Sequence, residues 1–188
     1  MYIVVGLGNP SEEYARTRHN TGRMCADFVA ARLASTSNSR ESRREKVKGV
    51  KVVVPDTFMN HSGKFVVKHV KSKKAAEKLV VIYDDLDLPL GAMKISYNRS
   101  SGGHRGVESI IKALKTEAFI RIRIGISPST PSGKLKKPKG EKNVEKHILS
   151  EFKKAEMEVL KKVFKNVVTA VEVIKESGYE QAMTEFNS

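Results

Sequence analysis

The sequence contains little that would support a disulfide-stabilised, membrane-embedded or tryptophan-rich protein. Cys25 is the only cysteine, which excludes an internal disulfide and favours a reducing compartment. Its apolar neighbours at helical spacing predict a buried thiol, and the alternative is a nucleophile. No apolar run approaches the roughly 20 residues of a membrane-spanning helix, so no membrane span is predicted. With no tryptophan and 39% hydrophobic residues, the core is expected to be mainly aliphatic.

The start of the chain has the pattern of an apolar strand and not that of a targeting segment. Residues 1–6 have no basic stretch before them and no small-residue cleavage site after them. We therefore expect no signal peptide and a cytoplasmic location. A length of 188 residues, without repeats or a long linker, predicts a single domain over residues 1–188.

Positive charge is the strongest feature of the composition. Lysine and arginine number 35 against 21 acidic residues, which gives a net charge of +14 and an isoelectric point near 9.9. Between Thr36 and Ala75 there are 11 basic and three acidic residues, so this stretch carries +8 of the +14. An excess of this size favours binding to polyanions such as nucleic acid. The alternative is a solvated, lysine-rich surface.

Strand patterns alternate with helix patterns along the first two thirds of the chain. Strands are predicted at Tyr2–Leu7, Val52–Val54, Lys78–Tyr83, Ala92–Tyr97 and Phe119–Ile126. In the last of these, arginines alternate with isoleucines, which predicts one charged face. An acidic turn is expected at Asp84–Pro89, directly after the third strand. The pattern predicts an α/β fold, a single α/β/α domain whose mixed, mainly parallel twisted sheet has helices on both sides and some antiparallel pairing at an edge.

Helical spacing connects these strands and dominates the last third of the chain. Helices are predicted from Asn20 or Thr21 to Leu33, from Phe58 or Ser62 to Val70, and over Val107–Leu114 after a glycine-rich loop. Residues 128–142 are rich in Pro, Ser, Gly and Lys, which predicts a flexible basic loop. Residues 143–187 are expected to form C-terminal helices, one of which has a long apolar face.

Several ligand-binding motifs are absent or incomplete. Gly6-Leu7-Gly8 follows a strand, but Ser11 stands where a dinucleotide-binding motif has its third glycine. There is no phosphate-binding Gly-Lys-Ser/Thr loop, and scattered histidines with one cysteine argue against zinc. Asp84, Asp85 and Asp87 are candidate magnesium ligands, although their spacing is equally typical of a turn. We expect neither a metal nor a cofactor.

A hydrolase without a metal needs a general base, a group that orients the base, and polar groups for water and the carbonyl oxygen. His19 has a suitable intrinsic pKa and follows the turn after the first strand. Asp84 lies at the carboxyl end of another buried strand, and such ends meet at one crevice in an α/β sheet. Asn9 and Asn60 are neutral candidates for the same crevice. Each of these residues alone has a structural alternative, as a helix cap or a turn former.

Five blocks of sequence, in order over residues 2–127, resemble the bacterial-type peptidyl-tRNA hydrolase family. They are Gly6–Pro10 with Tyr14 and Thr17–Asn20, Pro55–Lys64, Asp84–Gly91, Gly102–Gly106 and Arg121–Ile126. The resemblance implies an enzyme without a metal that hydrolyses the ester joining peptide to tRNA and so recycles tRNA from abandoned translation. It also implies a single α/β/α domain, and a monomer fits the family.

The resemblance also implies roles for individual residues. His19 matches the catalytic histidine that activates water, and Asp84 matches the carboxylate that orients it. Asn9 matches the asparagine that contacts the peptide next to the ester and helps to reject aminoacyl-tRNA with a free amine. Other matching positions are expected to hold substrate or tRNA: Asn60 with Phe58 and Met59 for water and substrate, Tyr14 for the tRNA end, and Arg123 with Lys94 for tRNA phosphate.

The sequence departs from the family pattern in two places. Arg105 stands where the family usually has asparagine, and our hypothesis is that it contacts a terminal phosphate or ribose of the substrate. The stretch between Leu33 and Val52 is shorter and more basic than the usual strand hairpin. The alternatives to an enzyme are a non-catalytic RNA-binding relative, of the kind that acts in splicing, and a translation-associated binding module with weak activity.

Overall fold

The structure is a computed structural model that describes residues 1–35 and 49–187. Within these residues there are five strands, with bounds β1 Tyr2–Gly6, β2 Val50–Val53, β3 Leu79–Pro89, β4 Met93–Tyr97 and β5 Ile120–Ser127. The α-helices are α1 Thr21–Ser35, α2 Ser62–Val66, α3 Lys73–Ala76, α4 Arg105–Leu114, α5 Glu141–Ile148, α6 Lys154–Ser177 and α7 Tyr179–Phe186. Residues 36–48 lie outside the described residues, and with them part of the basic stretch between Thr36 and Ala75 and most of the departure between Leu33 and Val52.

The strands form one mixed sheet in the order β2-β1-β3-β5-β4. The pairs β1–β2, β1–β3 and β3–β5 are parallel, and β4 pairs with β5 in the antiparallel direction at the edge. This confirms the predicted fold class and the antiparallel edge. The outer side of β4 is covered in part by Asn187, whose amide accepts a hydrogen bond from Ile95 N at 2.7 Å and donates one to Ile95 O at 2.8 Å.

Helices cover both faces of the sheet because alternate strand residues point to opposite sides. Val4, Val80 and Ile122 pack with the apolar faces of α1 and α6 in one buried cluster. Val5, Val81 and Phe119 pack with α4 and the segments around α2 and α3 in the other. The core is mainly aliphatic, as expected, and Cys25 is buried in the first cluster.

One local prediction from the sequence is wrong. Asp84–Pro89 is not a turn but the second half of β3, because the chain continues to pair with β5 as far as Pro89–Ser127, across an irregularity after Asp85.

Strand β5 carries Arg121 and Arg123 at alternate positions and so on one face, as the sequence pattern predicts. The side chain of Arg121 is nevertheless fully buried. Its guanidinium donates to the carbonyl oxygens of Glu117, Phe119 and Arg99, while its Nε has no hydrogen-bond partner among the described residues.

The C-terminal third is helical as predicted, with α5 beginning two residues before the expected boundary. In the preceding basic loop, Ser129 and Leu135 form an isolated antiparallel bridge. Flexibility of this loop stays a prediction. Among the helices described, none combines the length and the apolar character that crossing a membrane requires.

Candidate active site

A cleft of about 780 Å³ opens at the carboxyl ends of the parallel strands. Nine of the ten residues proposed from the sequence line it: Asn9, Tyr14, His19, Phe58, Met59, Asn60, Asp84, Arg105 and Arg123. Lys94 does not. It lies exposed on β4, opposite Arg123 in the sheet register. The strand order explains the grouping, because side chains that follow β1 and β2 meet Asp84, which lies on β3 just beyond the point where β1 ends.

His19 lies in a short 3-10 helix, Arg18–Asn20, directly before α1. Helix α1 approaches the strand ends closely at Gly22, where an added Cβ would lie 2.2 Å from Ile82 O. This approach brings the His19 ring against β3. His19 Nδ1 lies 3.0 Å from Asp84 Oδ1 and 3.1 Å from Oδ2, and both residues are buried.

His104 is a second histidine on the same carboxylate, with Nε2 3.1 Å from Asp84 Oδ1. It is also the N-cap of α4, since its Nδ1 accepts hydrogen bonds from the backbone N–H of Gly106 and Val107 at 3.2 and 3.3 Å. Nδ1 therefore carries no hydrogen, and the hydrogen of the neutral ring is on Nε2, which donates to Asp84. The backbone at the start of α4 thus fixes the tautomer of His104.

The same reasoning fixes the tautomer of His19. An ionised carboxylate only accepts hydrogen bonds, so the Nδ1 that faces Asp84 carries the hydrogen of the neutral His19 ring. Nε2 then has a free lone pair, and within the described residues it has no hydrogen-bond partner. The cleft therefore contains a histidine with the lone pair of a general base next to open space.

Electrostatics favour this arrangement. Burial opposes ionisation of Asp84, but the two histidines outweigh it and hold the pKa of the carboxyl well below its usual range. Burial also opposes protonation of His19, but the charge and hydrogen bond of Asp84 outweigh it and raise the pKa of His19. The Arg105 guanidinium acts in the opposite direction on this pKa. A raised pKa strengthens the base and stabilises the imidazolium that forms when it takes a proton.

The two asparagines differ in how firmly they are held. The backbone of Asn9 is fixed by the Asn20 amide, which accepts from Asn9 N at 2.8 Å and donates to Asn9 O at 2.9 Å. Asn9 Oδ1 accepts from Met59 N at 2.8 Å, so its Nδ2 group is left to donate into the cleft. Asn60 lies exposed in the 3-10 helix Met59–His61 at the cleft rim.

The remaining side chains divide the cleft into a rim and a basic end. Tyr14 and the exposed Phe58 lie at the rim, and the side chain of Met59 is buried below them. At the other end Arg123 forms an ion pair with Asp85 at 3.0 Å, in the cleft wall that β5 provides. Arg105 is 72% exposed and pairs with Glu141 of α5 across 3.6 Å. The sequence alone did not identify α5 as part of the cleft wall.

Arg18 ties the segment that carries His19 to the start of α6. Its guanidinium donates to both carboxylate oxygens of Glu156, at 2.9 and 2.8 Å, and stacks over Phe152 at 4.6 Å. Its Nε donates to Ser150 Oγ, and its backbone N–H donates to Ser150 O. With 8% of the side chain exposed, this arginine is a buried positioning residue next to the candidate base.

Removing the carboxylate of Glu156 is expected to destabilise the fold. Glu156→Ala leaves the Arg18 charge buried without its partner, so the free energy of unfolding should fall by about 1–3 kcal/mol. Glu158→Ala, two residues further along α6, removes an exposed pair with Lys161 and should leave the free energy of unfolding nearly unchanged. Urea denaturation of both variants measures the difference. Equal losses would show that Arg18 does not depend on Glu156.

One group of described side chains has the composition of a metal site. Candidate ligand atoms of His19, Asp84 and His104 all lie within 4.8 Å of one another. A histidine that binds a metal usually donates from its other ring nitrogen, whereas Nδ1 of His104 accepts two backbone N–H groups. If Nε2 of His104 bound a metal, the ring hydrogen would have to move to Nδ1, and His104 could then no longer cap α4. The alternative is a ring that has lost both of its N–H hydrogens. The arrangement fits two N–H donors on a carboxylate better than three metal ligands.

His104 and Arg18 were the positioning residues that the sequence did not reveal. The signal for His104 was its place between Gly102-Gly103 and the start of a helix, where a side-chain acceptor is favoured. For Arg18 no signal was available, since its partner Glu156 is 138 residues away.

Comparison with known proteins gives a consistent result. Residues 3–188 match the sequence model of the family described as peptidyl-tRNA hydrolase. The peptidyl-tRNA hydrolase of Syntrophotalea carbinolica is 38% identical, with 100% of this chain and 97% of that protein covered. That of Aquifex aeolicus is 40% identical, covering 96% and 93%. A crystal structure of peptidyl-tRNA hydrolase from Acinetobacter baumannii superposes with a TM-score of 0.80 at 28% identity, covering 100% and 95%.

Proposed function

The chain belongs to the peptidyl-tRNA hydrolase family, and we propose that it hydrolyses the ester bond between the peptide and the tRNA in peptidyl-tRNA. The observation that carries the catalytic part of the proposal is the His19–Asp84 pair at 3.0 Å, with His19 Nε2 in the cleft and without a hydrogen-bond partner in the part of the chain that the structure describes. A base of this kind activates water, and a ribose hydroxyl is a fair leaving group. We expect the protein to act as a monomer in the cytoplasm and to need no metal.

The reaction follows from the geometry of the ring. His19 Nε2 takes a proton from water while the water oxygen bonds to the ester carbonyl carbon, and Asp84 stabilises the imidazolium that results. The carbon–oxygen bond to the ribose then breaks, and the imidazolium returns its proton to the departing ribose oxygen. The products are a free peptide carboxylate and a tRNA with its terminal hydroxyl restored.

Neutral amides are available for the charge that develops on the carbonyl oxygen. Asn9 is the better placed of the two, because its Oδ1 is held by Met59 N and its Nδ2 is therefore oriented as a donor. Asn60 lies at the rim, where a side chain that is free to move suits the water or the peptide. Neither residue adds charge near His19, so the pKa of the base is left to Asp84 and Arg105.

The tRNA is proposed to lie at the basic end of the cleft. Arg99 and Arg123 line this end, and Lys94 extends the positive surface outside it. Contacts of lysine and arginine with phosphate hold a nucleic acid without reading its sequence. When lysine and arginine bind the phosphates, counterions of the tRNA are released. The affinity for the substrate should therefore fall steeply as the salt concentration rises.

Release of the blocked amino acid from an N-acetyl-aminoacyl-tRNA tests the activity directly. The protein should hydrolyse this substrate and leave the matching aminoacyl-tRNA with a free amine largely intact. If the blocked substrate is bound but not hydrolysed, the chain is an RNA-binding relative without catalysis. Hydrolysis of both substrates at equal rates would contradict the proposed role of Asn9 next to the ester.

Arg105 influences the pH at which His19 loses its proton, and its variants should therefore shift the pH dependence of the activity. The guanidinium opposes protonation of His19, so Arg105→Asn is expected to raise the pKa of His19 further. A base with a higher pKa is still protonated at a higher pH, and the acid limb of the kcat/KM profile should therefore move upward. Arg105→Lys keeps the charge and should leave the limb near its wild-type position. An unchanged limb in Arg105→Asn, or one at lower pH, would contradict this role.

A further inference from the structure

A second, shallower depression of about 530 Å³ continues from the active-site cleft along the surface between α2 and α4. Asn60 and Arg105 line both spaces and mark where they join. We call this depression the α2–α4 groove; its other lining residues are Lys64, Glu108, Ser109, Lys112 and Ala113.

The floor of the α2–α4 groove is made of small residues because the two helices are in close contact. An added Cβ on Gly63 would lie 2.1 Å from Ser109 O and 2.7 Å from the Ala113 methyl. Gly63 N also donates to Ser109 Oγ at 3.0 Å, which fixes the helices together. The floor is thus shallow and rigid, and it suits an extended chain that lies along the surface.

The edges of the α2–α4 groove carry three cations and one acid. Lys64 and Lys112 are exposed, and Arg105 stands at the junction with the cleft. Glu108 is paired with Lys112 at 2.7 Å, and in the part of the chain that the structure describes Lys64 has no ion-pair partner. The balance is positive, so the groove favours a ligand with negative charge.

The strand order indicates which part of the substrate reaches this groove. Asn60 follows β2, His19 follows β1, and Asp84 lies on β3 just beyond the point where β1 ends. The arginines of the tRNA end follow β4 or lie on β5. The reacting bond therefore lies between the basic end of the cleft and the α2–α4 groove. If tRNA occupies one side, the peptide leaves by the other.

We propose that the α2–α4 groove binds the nascent peptide upstream of the ester and favours peptides with acidic residues there. This inference rests on the proposed function and adds a preference for peptide sequence to it. The Arg105–Glu141 pair supports the chemistry, because it shows that a carboxylate from an opposing chain segment reaches a cation at the groove entrance. An acidic side chain of the peptide would make the same kind of contact with Lys64 or Lys112.

Two tetrapeptidyl-tRNAs with blocked amino ends test the proposal. Both have the same tRNA and the same two residues next to the ester. The two residues before these are Glu in one substrate and Lys in the other. The wild-type protein should favour the Glu peptide about three- to tenfold in kcat/KM at low ionic strength, as exposed charge pairs allow. The double variant Lys64→Glu/Lys112→Glu should reverse the preference. N-acetyl-aminoacyl-tRNA, which ends before the groove, is the reference substrate for each variant.

A matched control variant changes the net charge of the protein by the same amount as Lys64→Glu/Lys112→Glu. Lys162→Glu/Lys165→Glu reverses two exposed lysines on α6, which packs on the other face of the sheet, and it should keep the wild-type preference. Amide-linked, non-hydrolysable versions of both peptidyl-tRNAs give the preference as a ratio of Kd values, independently of catalysis. If the wild-type protein did not hydrolyse the ester but still bound the Glu peptide more tightly than the Lys peptide, the proposed function would be contradicted and the peptide groove would not.

Three results would overturn the peptide groove itself. The first is equal Kd and kcat/KM for the Glu and Lys peptides in the wild-type protein. The second is a preference that survives charge reversal at Lys64 and Lys112. The third is a loss in the double variant that is as large for the reference substrate as for the Glu peptide, which would assign the groove to tRNA phosphates.

Discussion

Replacing His19 with alanine is expected to lower kcat for hydrolysis of N-blocked aminoacyl-tRNA by about 10²- to 10⁴-fold. Of the two histidines that contact Asp84, His19 is the one with a ring nitrogen, Nε2, that has no partner among the described residues and can accept a proton from water, since Nδ1 of His104 accepts from the start of α4. KM should change much less than kcat, because the arginines of the tRNA end and both asparagines remain.

The measurement compares single-turnover rates of the wild-type protein and His19→Ala at saturating protein concentration. His69→Ala is a matched control, because His69 packs against Phe65 and lines neither the cleft nor the α2–α4 groove. It should retain the wild-type rate. A His19→Ala protein that is folded, binds substrate and works within tenfold of the wild-type rate would exclude His19 as the base.

The second large effect is expected from Asp84→Asn, which keeps the shape of the side chain and removes its charge. His104 can only donate from Nε2, so it will attract the carbonyl oxygen of the new amide. The NH₂ group then faces His19 Nδ1, which has to accept, and the hydrogen of His19 moves to Nε2. The base is then in the wrong tautomer, and kcat should fall by up to about 10⁴-fold.

The pH profile distinguishes this explanation from a general loss of structure. Asp84 raises the pKa of His19, so removing its charge lowers that pKa, and the acid limb of the residual activity should move to lower pH. A thermal unfolding curve near that of the wild-type protein serves as the structural control. Activity within tenfold of wild type, or an acid limb that stays in place, would show that Asp84 does not orient the base.

The sequence was sufficient for the class of fold and for choosing candidate residues that share one cleft, because the relevant signals are local. Periodicity located the strands and the long C-terminal helix, and the rule that parallel strand ends meet at one crevice brought His19 and Asp84 together. Asn9 and Asn60 followed from the same rule. The resemblance to a known family, which the comparison with known proteins confirms, then supplied the bond that is cut.

The features that the sequence did not reveal depend on contacts between distant segments. Asp84–Pro89 has the composition of a turn, and only pairing with β5 keeps it extended. Arg121 is a charged residue in an alternating strand, but it is fully buried, and its guanidinium donates to three backbone carbonyls inside the protein. Helix α5 has little apolar character, and nothing in its own sequence shows that it forms a wall of the cleft.

The cap that His104 provides for α4 has a consequence for the path of protons. A histidine with one nitrogen exposed to water connects a buried carboxylate to bulk solvent, but the second nitrogen of His104 meets two backbone N–H groups that cannot accept a proton. A proton path from His19 through Asp84 and His104 would therefore end inside the protein. In the proposed reaction, the proton that His19 takes from water leaves through Nε2 into the cleft, where the departing ribose oxygen needs it.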